Sequence, residues 1–171
     1  MIIVKLVAIF EHRLYAFQYA DEEEHELRRL LGLWNDLGYL HAFVKKAKAD
    51  LPKDVSVMEM VRELMEQAKK LDEQLSDLSR KADGKFENFF KPLHNQEYRT
   101  KHLSKQKGRR QYLRIYALKI DENCFVITGG AIKFHHLNDA REHTQIEMKK
   151  LERCRNFLKE HGVYDADSYF E

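Results

Sequence analysis

A chain of 171 residues with 43% hydrophobic and 34% charged side chains suits one folded unit with a real core, and only two prolines and seven glycines argue against a disordered chain. The longest early apolar stretch, Leu6 to Phe10, falls far short of the ~20 residues that span a bilayer, and no cleavage-site pattern follows it. We therefore expect no membrane span, no membrane partner, no signal peptide and a cytoplasmic location. The net charge of +2 conceals an asymmetry. Between Tyr98 and Lys119 stand Arg99, Lys101, Lys105, Lys107, Arg109, Arg110, Arg114 and Lys119 with no Asp or Glu, while the rest of the chain is net acidic.

Met1 to Tyr19 is rich in Ile, Val, Phe and Tyr and is broken once, at Glu11, His12 and Arg13, which predicts two short strands joined by a tight turn. Asp21 and Glu24 have capping-box spacing, and Leu27, Leu30, Leu31 and Trp34 recur at helical spacing. Gly38 then separates this run from Tyr39, Leu40, Phe43 and Val44, giving either a kinked helix or a helical pair that ends before Pro52. The clearest periodicity follows. Ser56 with Glu59 forms a second capping box, and Val57, Val61, Leu64, Ala68, Leu71, Leu75, Leu78 and Ala82 alternate spacings of four and three. One helix of roughly 26 residues, about 39 Å long, is expected within the segment 53–84, ended by Asp83 and Gly84. Its seam would pack against the preceding helices or, as an exposed arm over 57–82, join two copies in a homodimer.

Phe86, Phe89, Phe90 and Leu93 make an aromatic patch, and the basic stretch Asn95 to Arg110, lacking periodicity, reads as a loop. Gln111 to Ile120 and Asn123 to Phe134 predict an antiparallel hairpin turning at Asp121 and Glu122. Gly129 and Gly130 interrupt its second strand, as a bulge or a close approach of another backbone or a ligand would require. Thr144 with Glu147 supplies a third capping box, and Ile146, Leu151, Cys154, Phe157 and Leu158 define a closing helix that stops at Gly162. The tail 164–171 is acidic with aromatic punctuation. Cys124 and Cys154 sit in apolar patterns and read as small buried hydrophobes, which fits a reducing compartment.

Strand alternation places Tyr112, Arg114 and Tyr116 on one face, and a guanidinium between two phenols suits RNA, since Arg binds phosphate bidentately and aromatic rings stack on unpaired bases. The structural alternative is an ion-paired Arg114 with the tyrosines beneath a helix. Lys105, Lys107, Arg109 and Arg110 flank Gly108 at the strand entrance, and with Tyr112 and Lys119 they complete the expected nucleic-acid-binding set. Lys133 and His135 share a face at the end of the second hairpin strand. A histidine can move a proton near pH 7, and a cation can stabilise the pentacoordinate phosphate formed when RNA is cut by its own 2′-hydroxyl. His135, His136 and His143 lack the ligand spacing of zinc patterns, and no phosphate-binding glycine loop, nucleophile elbow or paired-carboxylate motif is present, so neither a metal nor a cofactor is expected.

Leu113-Arg114-Ile115-Tyr116, Val126-Ile127-Thr128-Gly129-Gly130-Ala131-Ile132-Lys133 and His143-Thr144 with the basic helix behind them resemble the closing strands and helix of the RelE/ParE/HigB toxin superfamily, nearest to an uncharacterised bacterial group within it. The Met1 to Lys48 segment resembles the same superfamily in its strand followed by a helical hairpin, so the likeness covers about two-thirds of the chain discontinuously. It implies an α+β fold: a small twisted antiparallel sheet flanked by helices, here as one RelE-like domain over 1–171 with 53–84 as a long helical insert. It further implies a toxin neutralised by a cognate antitoxin and a metal-independent endoribonuclease acting on mRNA, at the ribosome in RelE-like members. On the shared strand motif Arg114 would stabilise the scissile phosphate and Tyr116 would stack or assist proton transfer. Lys133 and His135 would serve from the adjoining strand. The long heptad helix and the absence of a recognisable C-terminal tyrosine or histidine motif depart from the family pattern. ParE-like members share the fold while acting on DNA gyrase, so a non-catalytic protein gripping a protein or nucleic acid with the same surface is the alternative.

Overall fold

A computed structural model of the chain describes residues 2–94, 103–134 and 142–163, without the side chains of Val4, Glu142 and His143. The N-terminal richness in Ile, Val, Phe and Tyr produces β1 (Ile3–Phe10) and β2 (Leu14–Tyr19), which pair antiparallel across a turn where His12 adopts φ 68°. The helical pair is the outcome at the next segment: α1 (Glu26–Trp34) and α2 (Leu37–Lys46). The break falls at Asn35 and Asp36 rather than Gly38, because Asp36 Oδ1 accepts from the Tyr39 amide at 3.0 Å and starts a new helix. The expected first capping box is likewise displaced, since α1 begins at Glu26 with His25 as its cap.

Ser56 caps the long helix α3 (Val57–Arg80), accepting from Glu59 N at 3.1 Å. Its 24 residues extend about 36 Å. The carbonyls at its end are met by Arg13 from the β1–β2 turn, which donates to Ser79 O at 2.8 Å and Lys81 O at 3.2 Å, placing a cation where the helix dipole favours one. Val61, Leu64, Ala68, Leu71 and Leu75 are all buried against α1, α2 and the sheet. The central face of the seam that would have joined two copies is thus occupied by the chain's own core.

After a turn over Phe86–Asn88 come β3 (Phe90–Pro92), β4 (Ser104–Arg109), β5 (Leu113–Asp121) and β6 (Cys124–Ile132). The strand β4 corrects the expectation of a loop there. Its inward positions are Ser104, Gln106 and Gly108, so no apolar alternation announces it, yet Gly108 is required because a Cβ there would lie 1.9 Å from the Phe89 ring. The sheet order is β1-β2-β6-β5-β4-β3. All neighbours are antiparallel except β2 and β6, which pair parallel through Leu14↔Phe125 to Ala16↔Ile127. The architecture is therefore α+β as expected, with a six-stranded mixed sheet in place of a small antiparallel one.

Helices α1–α3 cover one face of the sheet, against Leu14, Ala16, Ile115, Ala117, Phe125 and Ile127. The last helix, α4 (Glu142–Glu160), covers the other with Leu151, Cys154 and Leu158 against Phe17, Tyr116, Leu118 and Val126. It starts two residues before Thr144, so the third capping box lies inside the helix. Its end matches expectation: Gly162 takes φ 70°, with Gly162 N donating to Lys159 O at 3.0 Å and Val163 N to Leu158 O at 2.8 Å, a Schellman closure. Among the described residues no helix is long and apolar enough to cross a membrane.

Cys124 and Cys154 are free and buried, and burial pushes both thiols up to about 12. A thiol whose folded pKa exceeds its unfolded value of about 8.5 contributes stability that is complete below the unfolded pKa and is lost as pH rises toward the folded one. We expect a thiol-reactive dye at pH 8 to label neither cysteine in the folded protein and both in urea. The urea midpoint should fall as pH rises above about 9. Rapid labelling of the folded protein would contradict this.

Candidate nucleic-acid interface

On β4, Lys105, Lys107 and Arg109 pair with Leu118, Tyr116 and Arg114 of β5, so all three cations stand on the α4 face beside Arg114. They do not act as one set. Lys105 Nζ is drawn 2.5 Å from Glu152 of α4, whose carboxyl lies below its usual value through that hydrogen bond. Lys107 and Arg109 form no ion pair with a described carboxylate. Lys107 is held below its ordinary pKa, first by partial burial and then by Arg114 and Arg109, the sign of like charges crowded together.

Arg114 is only 8% exposed. Its Nη1 donates to three carbonyls, Arg110 O at 2.6 Å, Leu113 O at 3.1 Å and Gln111 O at 3.2 Å. Among the described residues no carboxylate holds it, so the ion pair of the structural alternative is not what fixes this side chain. Burial, with Arg109 adding to it against an opposing contribution from Tyr116, lowers its pKa from the usual guanidinium value.

These groups converge where β4 leads into β5 and β6 ends. A pocket of about 680 Å³ is lined by Arg109, Arg110, Arg114 and Lys133, with Pro52, Gln111, Tyr112 and Phe134. Among the described residues four cations and two aromatic rings line it, and no acidic residue does. Tyr112 stands T-shaped against Phe134 with ring centroids 5.4 Å apart, and its amide donates to Gln67 Oε1 of α3 at 2.9 Å. The long helix thus braces the aromatic wall. Lys133 is anchored through its backbone N, which donates to Tyr112 O at 2.7 Å.

Not every expected residue joins the pocket. Tyr112 lies before β5 begins and packs with the α1–α3 layer, so the three-residue face of Tyr112, Arg114 and Tyr116 does not exist. Tyr116 is fully enclosed beneath α4, its phenol pushed up to about 12 by burial, with Arg114 opposing and Glu147 reinforcing the shift. Lys119 sits on the opposite sheet face, its Nζ 5.8 Å from the Phe125 ring centroid. His135 and His136, with Arg99 and Lys101, lie outside the described residues, as does the His143 side chain. Among the described residues no group of three or more His, Cys, Asp or Glu is placed to hold a metal ion.

Sequence inspection missed a buried ionic network next to this region. Glu26 of α1 accepts from Arg29 at 2.6 and 2.9 Å and from Lys150 of α4 at 3.0 Å, and Lys150 reaches Glu147 at 3.2 Å. The Lys150 ammonium lies 4.9 Å from the Tyr19 ring centroid, and the Tyr19 hydroxyl donates to Thr128 O. The Glu26–Arg29 spacing of three was the one available signal. The α1–α4 bridge is non-local and had none.

The chain is thus an α+β protein with a cationic, aromatic-walled pocket at one end of its sheet. Compared with family models, curated proteins and solved structures, it matches none.

Proposed function

We propose that this chain is a toxin-like RNA-binding protein and that the pocket grips the phosphodiester backbone of mRNA. The supporting observation is the convergence of Arg109, Arg110, Arg114 and Lys133 on one pocket whose lining, among the described residues, includes no carboxylate. Like charges are held together at an electrostatic cost unless an anion offsets it, and guanidinium forks match phosphate oxygens in pairs. Tyr112 and Phe134 add ring surface on which an unpaired base stacks. The RelE/ParE/HigB resemblance of the strand and helical-hairpin motifs extends this reading to a metal-independent endoribonuclease, cytoplasmic, acting at the ribosome and neutralised by a cognate antitoxin. In that chemistry Arg114 and Lys133 offset charge on the pentacoordinate phosphate and His135 moves the proton. Tyr116, sealed under α4, has no direct contact with substrate in this arrangement.

A second reading, RNA binding without cleavage, is favoured by the closure of Tyr116 and by the three carbonyls that occupy Arg114 Nη1. Expression of the wild type and of Lys133→Ala in a bacterium, with transcript ends mapped, separates the two. The nuclease reading predicts growth arrest with new mRNA ends that the variant does not produce. Arrest without new ends supports binding alone, and a purified wild type that binds no RNA contradicts both.

A further inference from the structure

The rings that wall the pocket do not stop at its rim. Between ring centroids, Tyr112 stands 5.4 Å from Phe134, Phe134 stands 6.2 Å from Phe43 of α2, and Phe43 stands 6.4 Å from Tyr39, one turn earlier on the same helix. The series starts in the cationic pocket and comes out on the surface of α2, where Tyr39 is 37% exposed. Helical spacing places Tyr39, Phe43 and Lys46 on one stripe, while Leu40 and Val44 are buried in the core. Between Leu37 and Ala49 stand His41, Lys45, Lys46 and Lys48 with no Asp or Glu, and Lys45 and Lys46 are both exposed. This second basic stretch is separate in sequence from that of β4 and β5, and through Phe43 it meets the aromatic wall of the pocket. Two carboxylates lie near the Tyr39 end and both are engaged: Asp36 Oδ1 accepts from the Tyr39 amide at 3.0 Å, and Lys150 holds Glu147 at 3.1 Å.

We propose that the stripe of Tyr39, Phe43 and Lys46 carries single-stranded RNA onward from the pocket, with an unpaired base stacked on the Tyr39 ring and a phosphate of the same strand beside Lys46. This rests on the reading of the pocket as an RNA site. A ring kept for packing is enclosed, as Trp34 is at 1% exposure, whereas Tyr39 leaves more than a third of its surface to solvent. Phe43 and Phe134, half-buried, form the floor between it and the pocket. Rings in series beside cations suit a flexible strand, because every base has a face to stack and every linkage a charge to offset. Continuity with the pocket, in charge and in rings, selects RNA as the occupant of this face.

The test uses the full chain and labelled 2′-O-methyl RNA, which cannot be cut by its own 2′-hydroxyl. One single strand has about four nucleotides, a length for the pocket alone, and one about twelve, a length that also crosses α2. Tyr39→Ala should weaken the longer strand roughly tenfold and leave the short one unaffected. The salt slope of the longer strand should not change in this variant, because stacking releases no counterions. Tyr39→Phe keeps the ring and should bind as the wild type does. Lys46→Gln, outside the pocket lining, should weaken the longer strand alone. Both positions are exposed, so the variants should fold, which circular dichroism checks. Undiminished binding of the longer strand by Tyr39→Ala overturns the track and leaves the RNA reading standing. Equal weakening of both strands also overturns the track, since the loss would then lie in the pocket. Absence of binding of either strand to the wild type overturns the RNA reading and the track with it.

Discussion

Glu26→Ala should lower the unfolding free energy by about 3–5 kcal/mol, the loss expected when one partner of a buried ion pair is removed. Glu26 is 1% exposed and is the acceptor for both Arg29 of its own helix and Lys150 of α4. These helices lie on opposite faces of the sheet. They meet because β2 and β6 remain paired only through Ala16↔Ile127, and beyond that point Tyr19 reaches across to Thr128 by its hydroxyl alone. Removing the carboxylate leaves Lys150, whose side chain is 11% exposed, with Glu147 as its remaining anion partner among the described residues, and leaves Arg29 with the more distant Glu22 at 3.9 Å. Chemical denaturation followed by circular dichroism checks this. A loss below about 1 kcal/mol would show that the bridge carries no more than a surface pair does.

Gly130→Ala should cost about 3 kcal/mol, at the upper end for overpacking, because its added methyl would meet backbone rather than a movable side chain. A Cβ at 130 would lie 2.6 Å from Arg114 O and 2.8 Å from Leu30 Cδ1, with Trp34 at 3.3 Å. Strand β6 must move away from β5 or from α1, and either shift displaces Arg114. RNA affinity should therefore fall in the fraction that remains folded. The neighbouring Gly129→Ala meets the ends of flexible side chains, Glu147 and Lys150, and should cost less. Equal stability of the two variants would contradict the packing described for this pair.

How far the sequence disclosed this molecule depended on whether a signal was local. The α3 seam, its Ser56 cap and the Gly162 closure are short-range chemistry, and each appears where the pattern put it except that α3 stops at Arg80, before the last seam position Ala82. The paired glycines also announced a close approach, now seen to be Glu147 at one and the Arg114 backbone at the other. Strand β4 was hidden because a strand is usually recognised by apolar alternation, and here its buried side is Ser104, Gln106 and Gly108. The parallel partnership of β2 and β6 joins segments over a hundred residues apart and has no local marker. Within the site, the basic cluster was legible as charge, and its convergence at Arg109, Arg110, Arg114 and Lys133 follows from the hairpin register. Strict alternation misplaced Tyr112, which precedes the strand, but the same rule separates Lys119 from Arg114 by an odd number of residues. Burial beneath a helix was the alternative reading for the tyrosines, and it holds for Tyr116 because α4 crosses that face.

The most direct test of the central claim is the salt dependence of single-stranded RNA binding. If the four pocket cations each neutralise one phosphate, log K should fall against log salt with a slope near −2.8, so that affinity drops roughly 50-fold between 50 and 200 mM. Replacing Arg109 and Arg110 together by glutamine should flatten the slope by about 1.4, while Lys119→Gln on the far face should leave it unchanged. A slope near zero, or one that Lys119 changes as much as the pocket arginines do, would contradict the pocket as the place where RNA is held.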